Sequence, residues 1–201
     1  MRRLADEYPG TAVELCALNH ANPFELLCAT ILSAQCTDER VNMVTPLLFA
    51  RYPTPDALAV ADPHDVEDII RSTGFYNNKT KSLIGMATAL VERFDSEVPS
   101  DLADLVTLPG VGRKTGNVVR SVALDLPGLP VDTHVGRLVR RLAITDEADP
   151  VKVEHALNAM LPATERGRFS LRVILHGRRI CAARKPQCGR CVLADFCPSA
   201  Q

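Results

Sequence analysis

Apolar residues recur along this chain at spacings of three and four, the period of helices with one buried face. Phe24, Leu27, Cys28 and Ile31 follow Asn22-Pro23, an N-cap with proline at the first helical position, so a helix is expected to about Gln35. Asp38 opens another, with Val41, Val44, Leu47 and Leu48 facing inward. Thr54-Pro55 and Asp62-Pro63 repeat the cap-and-proline start, and Gly74 closes the second of these helices. A longer helix is expected over about 78–94, turning Leu83, Met86, Ala87 and Leu90 to one side. Ser100 reads as the cap of a helix over 101–108; a Pro-Gly-Val-Gly turn follows, and a new helix starts near Arg113. Residues 126–130 form a Pro/Gly-rich break. Beyond it Val135, Leu138, Val139 and Leu142 share a face after Asp132, and helices over 150–161 and 165–177 complete the set. No stretch alternates with period two for long enough to make a sheet. The expected fold class is all-α, dividing near 126–130.

Composition narrows the setting. The 201 residues, 46% hydrophobic and 23% charged, suit one large or two small globular domains. The first eight residues are charged and no apolar core follows them, so no secretory signal is expected. No run of 18 apolar residues exists, so no membrane span and no membrane partner are expected. These features suit a prokaryotic cytoplasm, where thiols stay reduced and clustered cysteines read as metal ligands. Cys181, Cys188, Cys191 and Cys197 form such a cluster, spaced C-x6-C-x2-C-x5-C; four thiolates serve zinc or an iron–sulfur centre, and the single C-x2-C argues mildly against a zinc ribbon. Cys16, Cys28 and Cys36 lie among apolar neighbours and are expected to be buried.

Charge adds a direction. Residues 1–100 carry 8 Lys/Arg against 14 Asp/Glu, and residues 101–201 carry 15 against 10. From Arg166 to Arg190 there are eight cations and no acid, which suits either a polyanion-facing side or a solvated helical face.

Leu108-Pro109-Gly110-Val111-Gly112 joins two helices by a tight turn. Glycines two apart permit positive φ and close approach of a ligand, and the uncapped start of the next helix is a site for phosphate. A plain packing turn would also use two glycines, but it has no need of Arg113-Lys114 directly after. In a first helical turn the dipole opposes the Lys114 ammonium, and an amine that sheds its proton is a nucleophile; read alone, the same lysine suits plain phosphate binding better. Asp132 suits an N-cap, and a carboxylate pinned there also suits stabilisation of a developing cation. His134 reads as a structural hydrogen-bonding residue.

Four segments in one order resemble the endonuclease III family of DNA glycosylases. They are LLCATILSAQCTDERVN, GFYNNKTKSL, LVTLPGVGRKTGNVV with VDTHVGRL, and the cysteine set that follows ILHGRRIC. The resemblance covers the chain from about residue 4. It implies two helical lobes with double-stranded DNA in a cleft between them: a six-helix domain over 16–126, and a domain joining 1–15 to 127–201. The second carries a [4Fe–4S] cluster on Cys181, Cys188, Cys191 and Cys197. Lys114 matches the catalytic lysine and Asp132 the catalytic aspartate of a bifunctional glycosylase/AP lyase that acts on damaged pyrimidines in base excision repair. Gln35 is implied to fill the space left by the extruded base, and the tip with Phe75, Tyr76 and Asn77 to face the partner strand. Phe75, where many relatives carry leucine, would be the wedge unless it is a core residue. Gly110, Val111, Gly112 and Arg113 are implied to hold the phosphate backbone, as are Arg184 and Lys185 in the loop between the first two cysteines. Gly116 stands where alanine is usual and Gly136 where a larger residue is usual.

Three rivals remain. An adenine glycosylase of mispairs usually lacks the lysine after the hairpin and continues well past its cysteines, whereas this chain stops four residues after Cys197. A DNA-binding module with a structural metal would have no need of Asp132. A structural zinc protein would be colourless. A monomer is expected, since no heptad pattern is present.

Overall fold

The computed structural model describes residues 1–200, and every regular element among them is helical. The all-α expectation is met. In chain order the helices are α1 (Arg2–Glu7), α2 (Ala12–Leu15), α3 (Pro23–Leu32), α4 (Asp38–Arg51), α5 (Pro55–Ala59), α6 (Pro63–Ile70), α7 (Tyr76–Phe94), α8 (Leu102–Leu105), α9 (Arg113–Val122), α10 (Thr133–Arg141), α11 (Pro150–Met160) and α12 (Arg166–Arg179). The chain divides into two compact units: residues 17–124, and residues 1–16 together with residues 125 onward.

In the unit of residues 17–124, α7 is the central rod. Its Leu83, Met86, Ala87 and Leu90 are fully buried, and α5, α6 and α3 pack on it. Helix α3 is buried along nearly its whole length and also touches α4 and α9. Each leucine so buried stabilises the fold by about 1.5–3 kcal/mol. The helix starts follow their caps: Asn22, Thr37, Thr54 and Asp62 each accept a backbone N–H from the first turn.

Four local expectations change. Leu47 is 60% exposed, and Thr45, at 2%, completes the inward arc with Val41, Val44 and Leu48. At 100° per residue Leu47 falls on the flank of that arc. Asp101, not Ser100, caps α8: its carboxylate accepts the Ala103 N–H at 2.8 Å, and the helix is shorter than expected. Helix α7 begins two residues early, at Tyr76, because Phe75 turns the chain in a left-handed conformation with φ 51°. Of the three N-terminal cysteines only Cys28 is buried; Cys16 and Cys36 are half-buried.

In the other unit α12 is the spine, with α1, α2 and α10 packed against it. A side chain at Gly177 would stand 2.9 Å from the His134 Cβ, so α10 and α12 cross at a distance only glycine allows. The buried Arg172 donates to the carbonyls of Tyr8 and Gly10, at 3.0 and 3.3 Å, and so ties the N-terminal segment to α12. Ser170 does the same for the Pro130 carbonyl.

Candidate functional site

The hairpin turn is held from inside. Gly110 has φ 76°, and a Cβ there would lie 2.6 Å from the Ser82 Cβ and 3.6 Å from the Ile31 Cγ2. Gly112 has φ −94° and open space around it, so the expected positive φ is confined to Gly110. Val111 is buried and its N–H donates to the Leu108 carbonyl. Helix α9 then starts with no side-chain cap and no acid in its first turn. Arg113 and Lys114 stand exposed at that positive end, next to amides free of intrahelical partners. Gly116 has a packing reason: a Cβ there would meet the Leu102 side chain of α8 at 2.6 Å.

Gln35, Phe75 and Gly110 are far apart in sequence and line one cavity of about 320 Å³. That is the lower end of the range for ligand pockets. Gln35 (φ 54°) and Phe75 (φ 51°) are both exposed and left-handed, a conformation that costs a non-glycine residue about 1–2 kcal/mol. Phe75 is 64% exposed, which excludes the core reading. Tyr76 is half-buried under the Arg71 guanidinium, 5.3 Å from its ring, and Asn77 is exposed.

The same cavity takes in Asn78, Lys79 and Ser82, which sequence reasoning missed. Lys79 is only 5% exposed and donates through Nζ to the Thr73 carbonyl at 2.8 Å. Burial pushes its ammonium pKa down, against a smaller opposing effect of the Cys36 thiol. The signal was present: Lys79 lies four and eight residues before Leu83 and Ala87, on the apolar stripe of α7.

Asp132 caps α10. Its Oδ1 accepts the N–H groups of His134 and Val135 at 2.8 and 2.9 Å, and among the described residues nothing donates to Oδ2. A carboxylate held this way is fixed in direction and keeps one oxygen for a ligand. His134 is a hydrogen-bonding residue, 3.1 Å from Arg137 through Nδ1. A side chain at Gly136 would meet nothing within 4 Å. Lys114 and Asp132 belong to different units of the chain.

The four C-terminal cysteines are uncrosslinked and line a common cavity with Arg141. Burial pushes the Cys191 thiol up in pKa, and the neighbouring Cys181, Cys197 and Cys188 add to it, as expected of sulfurs crowded together. Donors already point at the sulfurs. Arg141 donates to Cys181 Sγ at 3.1 Å, His176 Nε2 lies 3.2 Å from Cys191 Sγ, and the Leu193 N–H reaches the same sulfur at 3.4 Å. Arg141 also holds the carbonyls of Ala182 and Ala183, and Arg137 that of Cys181. Among the described residues no three His, Cys, Asp or Glu groups are set to grip a single ion. Four thiols lining one cavity, with N–H donors on the sulfurs, fit a multi-iron cluster held by thiolates. Arg184 and Lys185 are exposed on the loop between the first two cysteines.

Residues 28–163 match the HhH-GPD superfamily of base excision DNA repair proteins, and residues 181–197 match the iron–sulfur binding domain of endonuclease III. Endonuclease III of Synechocystis sp. is 53% identical over 195 residues, spanning 96% of this chain and 88% of that protein. The chain belongs to the endonuclease III family. It is therefore a base excision repair DNA glycosylase/AP lyase with a [4Fe–4S] cofactor, and the choice between zinc and iron–sulfur falls to the latter. Endonuclease III of Escherichia coli is 40% identical, spanning 98% of this chain and 92% of that protein. A non-covalent endonuclease III–DNA complex matches at 41% identity with a TM-score of 0.91, over 99% of this chain and 92% of that one. A trapped endonuclease III–DNA covalent intermediate, an estranged-adenine complex, matches with the same values. A thermostable thymine-DNA glycosylase, 20% identical with a TM-score of 0.85 over 99% of this chain and 92% of that one, shares the fold alone. Among the described residues no helix is long and apolar enough to cross a membrane.

Proposed function

We propose that this endonuclease III-type enzyme removes oxidised pyrimidines from double-stranded DNA as a monomer at the nucleoid, with Lys114 as nucleophile and Asp132 as electrostatic partner. The Lys114 amine attacks C1′ of the damaged nucleotide, the base leaves, and a Schiff base joins lysine to sugar. Loss of a 2′ proton then expels the 3′ phosphate by β-elimination. Asp132 Oδ2 faces the positive charge that develops on the sugar as the glycosidic bond breaks, a role for which its Oδ1 is already anchored. The observation that carries the reading is an exposed lysine at the uncapped start of the helix after the hairpin, in a chain that matches a trapped covalent DNA intermediate.

The target base must leave the stack to be reached. Gln35 fills the vacated space and Phe75 props the partner strand; their shared cavity and exposure support this. Apolar wedges of this kind kink a duplex by unstacking a base step. Gly110, Val111, Gly112 and Arg113 receive backbone phosphate at the start of α9, with the Val111 side chain also packing the turn. Tyr76 and Asn77 face the partner strand beside Phe75. Cys181, Cys188, Cys191 and Cys197 hold the cluster, which when bound supplies a one-electron couple and a rigid anchor for the segment it closes. Arg184 and Lys185 on that segment contact phosphate.

Borohydride trapping on a duplex with one thymine glycol tests the nucleophile. Wild type is expected to give a covalent adduct, and Lys114→Ala none while still binding the duplex. An adduct at wild-type level in Lys114→Ala would remove Lys114 from the role.

A further inference from the structure

His176 lies in the last turn of α12 with 1% of its surface exposed, and both ring nitrogens are engaged. Nε2 is 3.2 Å from Cys191 Sγ and Nδ1 is 3.1 Å from the Tyr8 hydroxyl. Tyr8 follows α1, is itself 4% exposed, and meets the imidazole edge-on with ring centroids 5.9 Å apart. The Arg179 guanidinium covers the outer face of the tyrosine at 5.6 Å. The two partners are 168 and 15 residues from His176 in sequence, so a single imidazole connects the first turns of the chain to the cysteine segment.

The chemistry of the two ends fixes the proton. A thiolate bound to iron only accepts, so the nitrogen facing Cys191 has to carry the hydrogen. The neutral imidazole then accepts at Nδ1, and the Tyr8 hydroxyl is the donor there. We propose that Tyr8 and His176 form a directed relay, Tyr8 O–H to Nδ1 and Nε2–H to Cys191 Sγ, that sets the reduction potential of the cluster. Hydrogen bonds to cluster sulfurs are among the levers that place an iron–sulfur potential. The added electron of the reduced state raises the negative charge on sulfur, so an N–H donor stabilises the reduced state and raises the potential. Tyr8 acts as the positioning residue: it holds the tautomer that keeps the donor aimed at sulfur. The N-terminal segment thereby bears on the cofactor through His176. Arg3 reinforces this connection by donating to the Val192 carbonyl at 2.9 Å and pairing with Asp195.

This inference rests on Cys191 being a cluster ligand, and iron content tests that separately. Wild type, Tyr8→Phe, His176→Leu and His176→Gln would be purified aerobically, assayed for iron and visible absorption, and their potentials read by film voltammetry. Tyr8→Phe keeps the ring and its packing and removes only the donor, so it is expected to hold a full cluster with a more negative potential. His176→Leu is expected to shift further in the same direction, and His176→Gln, which restores an N–H donor, to return toward wild type. Fully loaded Tyr8→Phe and His176→Leu proteins at the wild-type potential would overturn the relay. A wild-type chain without four irons would overturn the ligand assignment and the relay with it. If His176→Leu loses its cluster, the Tyr8→Phe and His176→Gln potentials still decide.

Discussion

At the residue scale the side chains that matter break the rule of their surroundings. Phe75 is a large apolar residue at 64% exposure in a left-handed conformation, and Lys79 is a cation at 5% exposure on an apolar stripe. Phe75→Ala should leave the melting temperature nearly unchanged, since exposed substitutions cost within about 0.5 kcal/mol, while turnover on damaged duplex falls. A collapse in melting temperature would return Phe75 to the core. Lys79 makes a pH-dependent contribution. Burial holds its folded pKa below the ordinary 10.5, so the unfolded chain binds that proton more tightly. Between the lowered value and 10.5 the unfolded state carries the extra proton, and the contribution to stability rises with pH. The stability of wild type minus that of Lys79→Met should therefore increase as pH climbs through this window; a flat difference would mean that burial does not penalise the ammonium. Lys79 was legible in the sequence as a charge on a buried stripe. The relay through His176 was not, because no local pattern joins residue 8 to residue 176.

At the element scale the hairpin shows how far a motif can be read. Pro-Gly-Val-Gly between two helical patterns announces the turn, and Arg113-Lys114 directly after it sets two cations at the start of the next helix. That no side chain fits at Gly110 is set by a neighbour the motif does not contain, the Ser82 side chain of α7. The same holds for Gly116, whose missing side chain is replaced by Leu102 of α8. The two hairpin glycines should respond differently. Gly110→Ala has to adopt φ 76° with its Cβ against Ser82, and is expected to cost more than about 1 kcal/mol, a loss of several degrees in melting temperature. Gly112→Ala keeps φ −94° in open space and loses only a modest N-cap preference, below about 1 kcal/mol. Differential scanning calorimetry of the two variants checks this, and equal losses would mean that the turn is not held by its contact with α7.

At the scale of the whole molecule, charge divides with the fold. Residues 17–124 carry 9 Lys/Arg against 13 Asp/Glu, and the remaining residues 14 against 11. The sequence shows eight cations between Arg166 and Arg190, yet the structure gives most of them internal work. Arg172 is buried on the Tyr8 and Gly10 carbonyls, Arg166 donates to the Asn158 carbonyl, Arg168 pairs with Glu165, Arg179 covers Tyr8, and Arg190 holds Gln187. A charge run read from sequence cannot separate cations that brace a helix from cations offered to a polyanion, because the distinction lies in partners elsewhere in the chain. Arg184 and Lys185, exposed on the loop that Arg141 fixes through two carbonyls, are the pair offered outward. Each phosphate contact contributes about −0.9 to the slope of log affinity against log salt. Arg184→Ala and Lys185→Ala should each flatten that slope by about this amount and leave the melting temperature near wild type. Arg172→Ala should do the opposite: lower the melting temperature, by leaving the buried Tyr8 carbonyl and the part-buried Gly10 carbonyl without their donor, and keep the slope of the folded protein. Fluorescence anisotropy on a duplex with an abasic analogue, at stepped salt, measures the slopes, and calorimetry the melting temperatures. A slope that flattens in Arg172→Ala and not in the loop variants would move the DNA-facing charge from the loop to the helix.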